Sequence, residues 1–427
     1  MDSANRRRRG MGVLATLALA IGLVVAGGAP AQAAPATIQP VPITAAHAVS
    51  TVYSLTVNGT PVPVNGYANY GDGYDYAEFA MGTGIAQITI TKLDGTAVSK
   101  TYITPIKDSH VATHSGASST FTISAPKYLI VKLDTGRRII ISAEAAETNV
   151  PAASGPGIFR VGSAAYPADP SGNTLSTTGV QAAINAASAY GTAGGTRGIV
   201  YVPAGVYTLA NIELRSNIDV YFAPGSVWRM RADKSLYTVD AHKSSQNRDL
   251  TWWIQTEFGS ENITMRGRGT LDGNGKAAFA SGFGMNILAP IATSNFRLDG
   301  LTIREAASWA VIPTRSDDLE FTHMKIFNRF DMGENDGIDV IESQDVLVQY
   351  GIAIGHDDPY STKSWPKSVG ITINWPGDPE VVQNVAFDRL ISWTGCFGFK
   401  VGQGVVSSHT DVRFTNSVIH DSSVGRA

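Results

Sequence analysis

Three aspartates carry the chemistry this chain can offer. Asp336 lies in the run Glu334-Asn335-Asp336-Gly337-Ile338-Asp339, and Asp357 and Asp358 close the run Gly355-His356-Asp357-Asp358. Twenty-one residues separate Asp336 from Asp357, roughly one turn of a parallel β-helix. Successive coils of such a solenoid lie about 4.8 Å apart. Carboxylates held that close repel each other, which raises at least one pKa and leaves a proton donor beside an ionised base. Hydrolysis of a glycosidic bond uses that division of labour. Asp-Gly and Asp-Asp also serve as turn residues in loop-rich β proteins. One such dipeptide alone reads as a turn; three aspartates in register read as a site.

Other residues qualify by their distance from these three. Lys363 follows Asp358 by five positions, and Lys400 stands in Gly398-Phe399-Lys400-Val401-Gly402. Tyr360, Trp365 and Trp375 occupy the stretch after the aspartate pair. Sugar rings stack on exposed aromatics, so these three are candidate substrate-binding residues. Trp309 and Trp393 sit in apolar segments and read as core. His356 reads as structural, and Asp339 as a brace for its own turn. Cys396 is the only cysteine, so it makes no internal disulfide. Without a Cys or His cluster around it, it reads as a small buried hydrophobe rather than a metal ligand. Neither a cofactor nor a metal is expected.

The elements that must position these residues are β-strands. Charged residues are only 16 %, 44 residues are glycine, and β-branched residues alternate with polar ones, an all-β pattern. A net charge of −3 argues against nucleic acid as a partner. Residues 1–33 have an arginine-rich head, an apolar stretch from Val13 to Ala26 and the small-residue site Ala31-Gln32-Ala33. That is a secretory signal peptide, so the mature chain is expected to be extracellular, monomeric and without a membrane anchor. Residues 50–148 read as a small β-sandwich, with hairpin turns at Asn58-Gly59 and Asp94-Gly95. Residues 149–176, rich in Ala, Gly, Pro and Ser, read as a linker.

From Thr177 the pattern changes. Val180, Ala183, Ile184 and Ala187 recur at helical spacing through Tyr190, as in a helix capping the open end of a solenoid. An irregular repeat follows, its third positions at Asn262, Asn295, Asp318, Asp345, Asn384 and Asp411. Unequal spacings fit strands of fixed length with loops growing on one side. Residues 177–427 are thus expected to form a right-handed parallel β-helix, with Ile263, Met265, Phe296, Leu298, Phe387 and Phe414 stacked inside. A propeller would need about forty residues per blade and no leading helix.

Gly269-Thr270-Leu271-Asp272-Gly273-Asn274-Gly275, Ser308-Trp309, the two aspartate runs and Lys363-Ser364 resemble polygalacturonases, glycoside hydrolase family 28. The preceding sandwich and the run around Lys400 look more like the dextranase and isopullulanase family 49. Both belong to the pectin-lyase-like superfamily. The resemblance runs from about Thr177 onward. It implies an inverting hydrolase of an α-linked polysaccharide, either a dextran- or pullulan-like glucan or a pectin-like polymer. Asp357 would be the general acid, Asp336 and Asp358 would hold and deprotonate the water, and Lys363 would orient the cleft.

Three departures accompany this resemblance. Cys396-Phe397-Gly398 stands where polygalacturonases have Gly-His-Gly, and Glu334 replaces an asparagine. Their acid-gripping Arg-x-Lys would fall at or beyond Gly425-Arg426-Ala427. The first and third favour a neutral sugar, and the third also implies either a solenoid truncated at its C-terminal end or an unusual terminus. Two rival functions remain open, a polysaccharide lyase and a non-catalytic carbohydrate-binding β-helix.

Overall fold

The computed structural model describes residues 34–67 and 73–426. The expected signal peptide, residues 1–33, lies outside the described residues.

The first part of the chain forms two facing sheets. One contains Tyr53–Val57, Ala86–Lys92 and Ser118–Ile123 in antiparallel register. The other contains Tyr74–Met81, Lys127–Leu133 and Arg138–Ala145. Alternating residues from both, among them Val57, Ile88, Phe79, Val131 and Ile141, fill the space between. Tyr74–Met81 departs from simple alternation because every one of its residues is buried. Its second face packs against the rest of the molecule: Tyr74, Tyr76, Ile130 and Ile140 meet Phe327, Ile352, Ile354 and Trp393.

The second part is a parallel β-helix with three strand faces per coil. Its N-terminal end is covered by helix α1 (Thr177–Gly194), which buries Val180, Ala183, Ile184 and Ala187 and stops at Gly195 in the left-handed conformation. The helix runs four residues past the expected Tyr190, because only Gly195 supplies the left-handed backbone that ends it. Ile263, Met265, Phe296, Leu298 and Phe387 are fully buried. Phe414 is partly buried and stacks on Phe387, with centroids 4.8 Å apart.

The irregular repeat has a physical cause. Asn262, Asn295, Asp318, Asp345, Asn384 and Asp411 all adopt positive φ, between 51° and 60°. They turn each coil into its next strand, where Asn and Asp are tolerated best. Neighbouring members bond through their side chains: Asn295 Nδ2 donates to Asn262 Oδ1 at 2.6 Å, and Asn384 Nδ2 to Asp345 Oδ1 at 2.6 Å.

The segment read as a linker is instead partly built into the solenoid. Ile158–Arg160 pairs in parallel with the strand Gly198–Val202, and Ser171–Leu175 pairs with Gly205–Leu209. Their composition is loop-like, but the first coil needs neighbours for its backbone groups, and these short strands supply them.

Candidate active site

The three aspartates are set by the turns that precede two stacked strands, Ile338–Ile341 and Tyr360–Lys363. These pair in parallel with Ile338 opposite Tyr360. The offset is therefore one residue longer than the spacing of Asp336 and Asp357, and Asp336 lies level with Asp358. Gly337 makes the stacking possible. A Cβ there would lie 2.3 Å from the carbonyl oxygen of Pro359, while its N–H donates to Asp358 O at 2.8 Å.

Asp336 and Asp358 are each 2 % exposed, whereas Asp357 is only partly buried. Carboxylate oxygens of Glu334, Asp336 and Asp357 lie within 4.8 Å of one another, as do those of Asp357 and Asp358 with the Cys396 sulfur. Lys363, fully buried, donates to Asp336 Oδ2 at 2.8 Å and Asp339 Oδ1 at 2.6 Å. Lys400 donates to Asp358 Oδ2 at 2.8 Å. The second oxygens, Asp336 Oδ1 and Asp358 Oδ1, are buried and accept no hydrogen bond from the protein. Asp357 accepts from the backbone N–H of Glu334 at 3.1 Å and of Asp358 at 3.1 Å.

Burial holds the Asp336 carboxyl well above the usual carboxylate range, and the charge of Asp339 adds to this while Lys363 opposes it. Asp339 is raised for the same first reason. The carboxylates in turn push the Lys363 ammonium upward despite its burial, so it stays charged. Both metal-sized groups are acidic, but each buried member already faces a lysine. Those ammonium groups supply the positive charge a cation would otherwise bring, so the arrangement suits proton transfer better than ion binding.

Sequence reasoning passed over several residues that build this site. Asn335 is the principal one. Its Oδ1 accepts from the N–H groups of His356 at 3.1 Å and Asp357 at 3.3 Å, and its Nδ2 donates to Arg329 O at 2.6 Å. Thr394 Oγ1 donates to Asp357 O at 2.6 Å from the next coil. Glu334 is gripped by Lys243 at 2.9 Å and Ser245 at 2.7 Å, both on the remote loop before Arg248–Thr256. An asparagine between two chemical residues was a legible signal; the contributions of Lys243 and Thr394 had none, since they depend on coil stacking.

Two expected aromatic platforms are not available to a ligand. Tyr360 is 1 % exposed and points into the solenoid, stacked on Phe399 at 5.6 Å. Strand alternation sends it inward while Lys363, three residues on, faces outward. Trp375 is 6 % exposed and packs in a cluster with Ile371 and Ile341 on the outer side of the solenoid, with Arg315 above its ring. Trp365 is partly buried, stacks on Trp309 at 6.3 Å and lines a cavity of about 330 Å³ beside His242 and Lys243. Trp309 and Trp393 are core, at 1 % and 4 % exposed. His356 is exposed and bonds Phe330 O through Nδ1 at 2.8 Å. Cys396 is not the core hydrophobe its surroundings in sequence suggested. Coil stacking brings it against the aspartate pair, where burial and the Asp357 and Asp358 carboxylates push its thiol up to about 12.

Comparison with known proteins finds matches over part of the chain. Residues 195–377 match the family described as Glycosyl hydrolases family 28. An exopolygalacturonase of Cochliobolus carbonum is 27 % identical over 154 residues, which cover 30 % of this chain and 34 % of that protein, so the chain spans about a third of its relative's length. Among solved structures, the Yersinia enterocolitica family 28 exopolygalacturonase aligns with a TM-score of 0.52 at 14 % identity, over 80 % of this chain and 72 % of that one. The exopolygalacturonase of Thermotoga maritima aligns with a TM-score of 0.47 at 15 % identity, over 59 % and 65 %. The resemblance carried by the aspartate motifs is thus to the glycosyl hydrolases of family 28, and it holds over residues 195–377 on a parallel β-helix.

Proposed function

We propose that this protein is a secreted, inverting glycoside hydrolase that cleaves an α-linked polysaccharide at Asp336, Asp357 and Asp358. The observation that carries this reading is the set of three carboxylates on successive coils, Asp336 and Asp358 buried and each held by a lysine, beside the more accessible Asp357. Asp357 donates its proton to the glycosidic oxygen as that bond breaks. A water beside the Asp336–Asp358 pair attacks the anomeric carbon from the other face and gives its proton to one of those carboxylates. Lys363 and Lys400 fix the buried carboxylates and prevent them from turning away.

A pectin-type galacturonan is the substrate favoured by the family 28 match and by the named relative. One observation favours a second reading, a neutral α-glucan: Lys243, Lys363 and Lys400 are each already paired with a carboxylate at 2.9 Å or less. A uronate ring would then meet more negative than positive charge. The test is release of reducing ends from polygalacturonate, dextran and pullulan, with the anomer of the first product read by NMR. Hydrolysis with inversion is expected. A retained anomer removes the inverting mechanism, ultraviolet-absorbing products indicate a lyase, and no release from any polymer removes the hydrolase reading.

A further inference from the structure

A hairpin far upstream in sequence reaches the turn that carries Glu334 and Asp336. Its strand Ala241–Lys243 pairs in antiparallel register with the start of Arg248–Thr256, which is itself bonded in parallel to the strand Gly284–Ala289. The base is pinned at Asp240, whose Oδ2 accepts from Trp252 N–H at 2.8 Å and Thr251 Oγ1 at 3.0 Å. A second loop braces it: His242 N–H donates to Gly370 O at 2.9 Å, and Asn374 Nδ2 to Asp240 O at 2.8 Å. The tip is therefore held from two sides.

That tip grips one residue. Lys243 Nζ lies 2.9 Å from Glu334 Oε2, and Ser245 Oγ donates to Glu334 Oε1 at 2.7 Å. Lys243 is only 7 % exposed, and its ammonium also sits 4.1 Å from the centre of the Trp309 ring. A buried ammonium is costly unless its charge is met, and here the Glu334 carboxylate meets it.

Glu334 needs the grip. Its φ is +59°, a left-handed backbone that glycine and asparagine adopt readily and a glutamate adopts only under constraint. Such residues persist where surrounding contacts over-determine them, and they cluster at functional sites. This turn sets the direction of one N–H: Glu334 N donates to Asp357 Oδ2 at 3.1 Å. The other oxygen, Asp357 Oδ1, accepts from the N–H of Asp358 at 3.1 Å, a group that moves with Asp357 itself. The Glu334 bond instead ties the Asp357 carboxyl to the preceding coil.

We propose that Lys243 is a positioning residue for hydrolysis: with Ser245 it clamps the Glu334 side chain, and the clamped turn aims the Asp357 carboxyl. Only the step served, proton donation by Asp357, rests on the proposed function.

The test uses the full chain, with short oligosaccharides of the polymer it cleaves. Lys243→Met removes the charge and keeps much of the side chain; unfolding temperature checks the fold. Its kcat is expected to fall about tenfold to a hundredfold with KM little changed, because substrate still binds and only the donor is misaimed. Lys243→Arg, which restores the ion pair, is expected to recover most of the loss. In a Glu334→Asn background asparagine suits the left-handed turn without a clamp, so adding Lys243→Met is expected to cost little more. Hydrogen exchange read by mass spectrometry is expected to be faster at the Glu334 amide in Lys243→Met than in the native protein. Should Lys243→Met unfold, Ser245→Ala, a smaller change at an exposed position, is read in the same way. Unchanged kcat in a folded clamp variant overturns the positioning role. So does an equal fall in both backgrounds, which would show Lys243 acting other than through Glu334. If the native protein hydrolyses nothing, the proposed activity falls and exchange decides the clamp: faster exchange at Glu334 upholds it, and unchanged exchange removes it.

Discussion

At the residue scale the site is a problem of charge packed into little space. Four aspartates, Asp336, Asp339, Asp357 and Asp358, crowd around two lysines, and the carboxyls of Asp336 and Asp339 are held above their ordinary range. If Asp357 is the proton donor, Asp357→Asn keeps its shape and removes the proton. Turnover is expected to fall by about 10²–10⁴-fold with the unfolding temperature little changed. Near-normal hydrolysis by that variant would refute the assignment. The raised pKa of Asp336 gives a second prediction. In the proposed mechanism it belongs to the base and must be ionised, so the rate is expected to fall as pH drops through its elevated value. Asp339→Asn removes a neighbouring negative charge and leaves Lys363 to Asp336 alone. Both changes favour ionised Asp336, so the acid limb of the pH–rate profile should move to lower pH. A limb that stays in place would show that Asp336 does not control it.

At the element scale, chemistry depends on how one coil seats on the next. Asn335 acts as a backbone surrogate, taking up the N–H groups of His356 and Asp357 that the turn leaves without a strand partner. Asn335→Ala leaves those part-buried donors without an acceptor, at a cost of about 1 kcal/mol, and frees the turn that aims Asp357. We expect a lower unfolding temperature together with reduced kcat and a KM close to the native value, measured on the same oligosaccharide. A variant with full kcat would mean the turn is held by Gly337 and Thr394 without it. The helical and strand periodicities in sequence located these elements well, as α1 and the left-handed turn ladder show. The coil offset is 22 residues, from Ile338 to Tyr360, so Asp358 rather than Asp357 stands level with Asp336.

At the scale of the whole molecule, the sandwich and the β-helix are joined by a buried ionic layer as well as apolar contacts. Lys325, fully buried, bonds Glu144 at 2.6 Å and lies 3.6 Å from Glu78. Arg268 bonds the other side of Glu144. Lys325→Met strands these carboxylates away from water, and is expected to cost about 3–5 kcal/mol, read as a fall in the denaturant midpoint. A fragment lacking residues 35–148 would bare Phe327, Ile352, Ile354 and Trp393 and should aggregate on expression. A soluble, cooperatively folding fragment would show that the sandwich is not needed to cover that face.

The strand class, the capping helix, the turn ladder and the aspartate runs are legible in the chain, because each follows from local periodicity, backbone preference or residue type. Lys363 and Lys400 are legible as site residues for the same reason, since both stand close in sequence to a recognisable run. The fold turns Tyr360 inward and covers Trp375. It also brings Cys396, Thr394 and Lys243 to the aspartates from other coils and loops. Those placements depend on coil register and loop packing between residues tens of positions apart, and no local property of the chain encodes either.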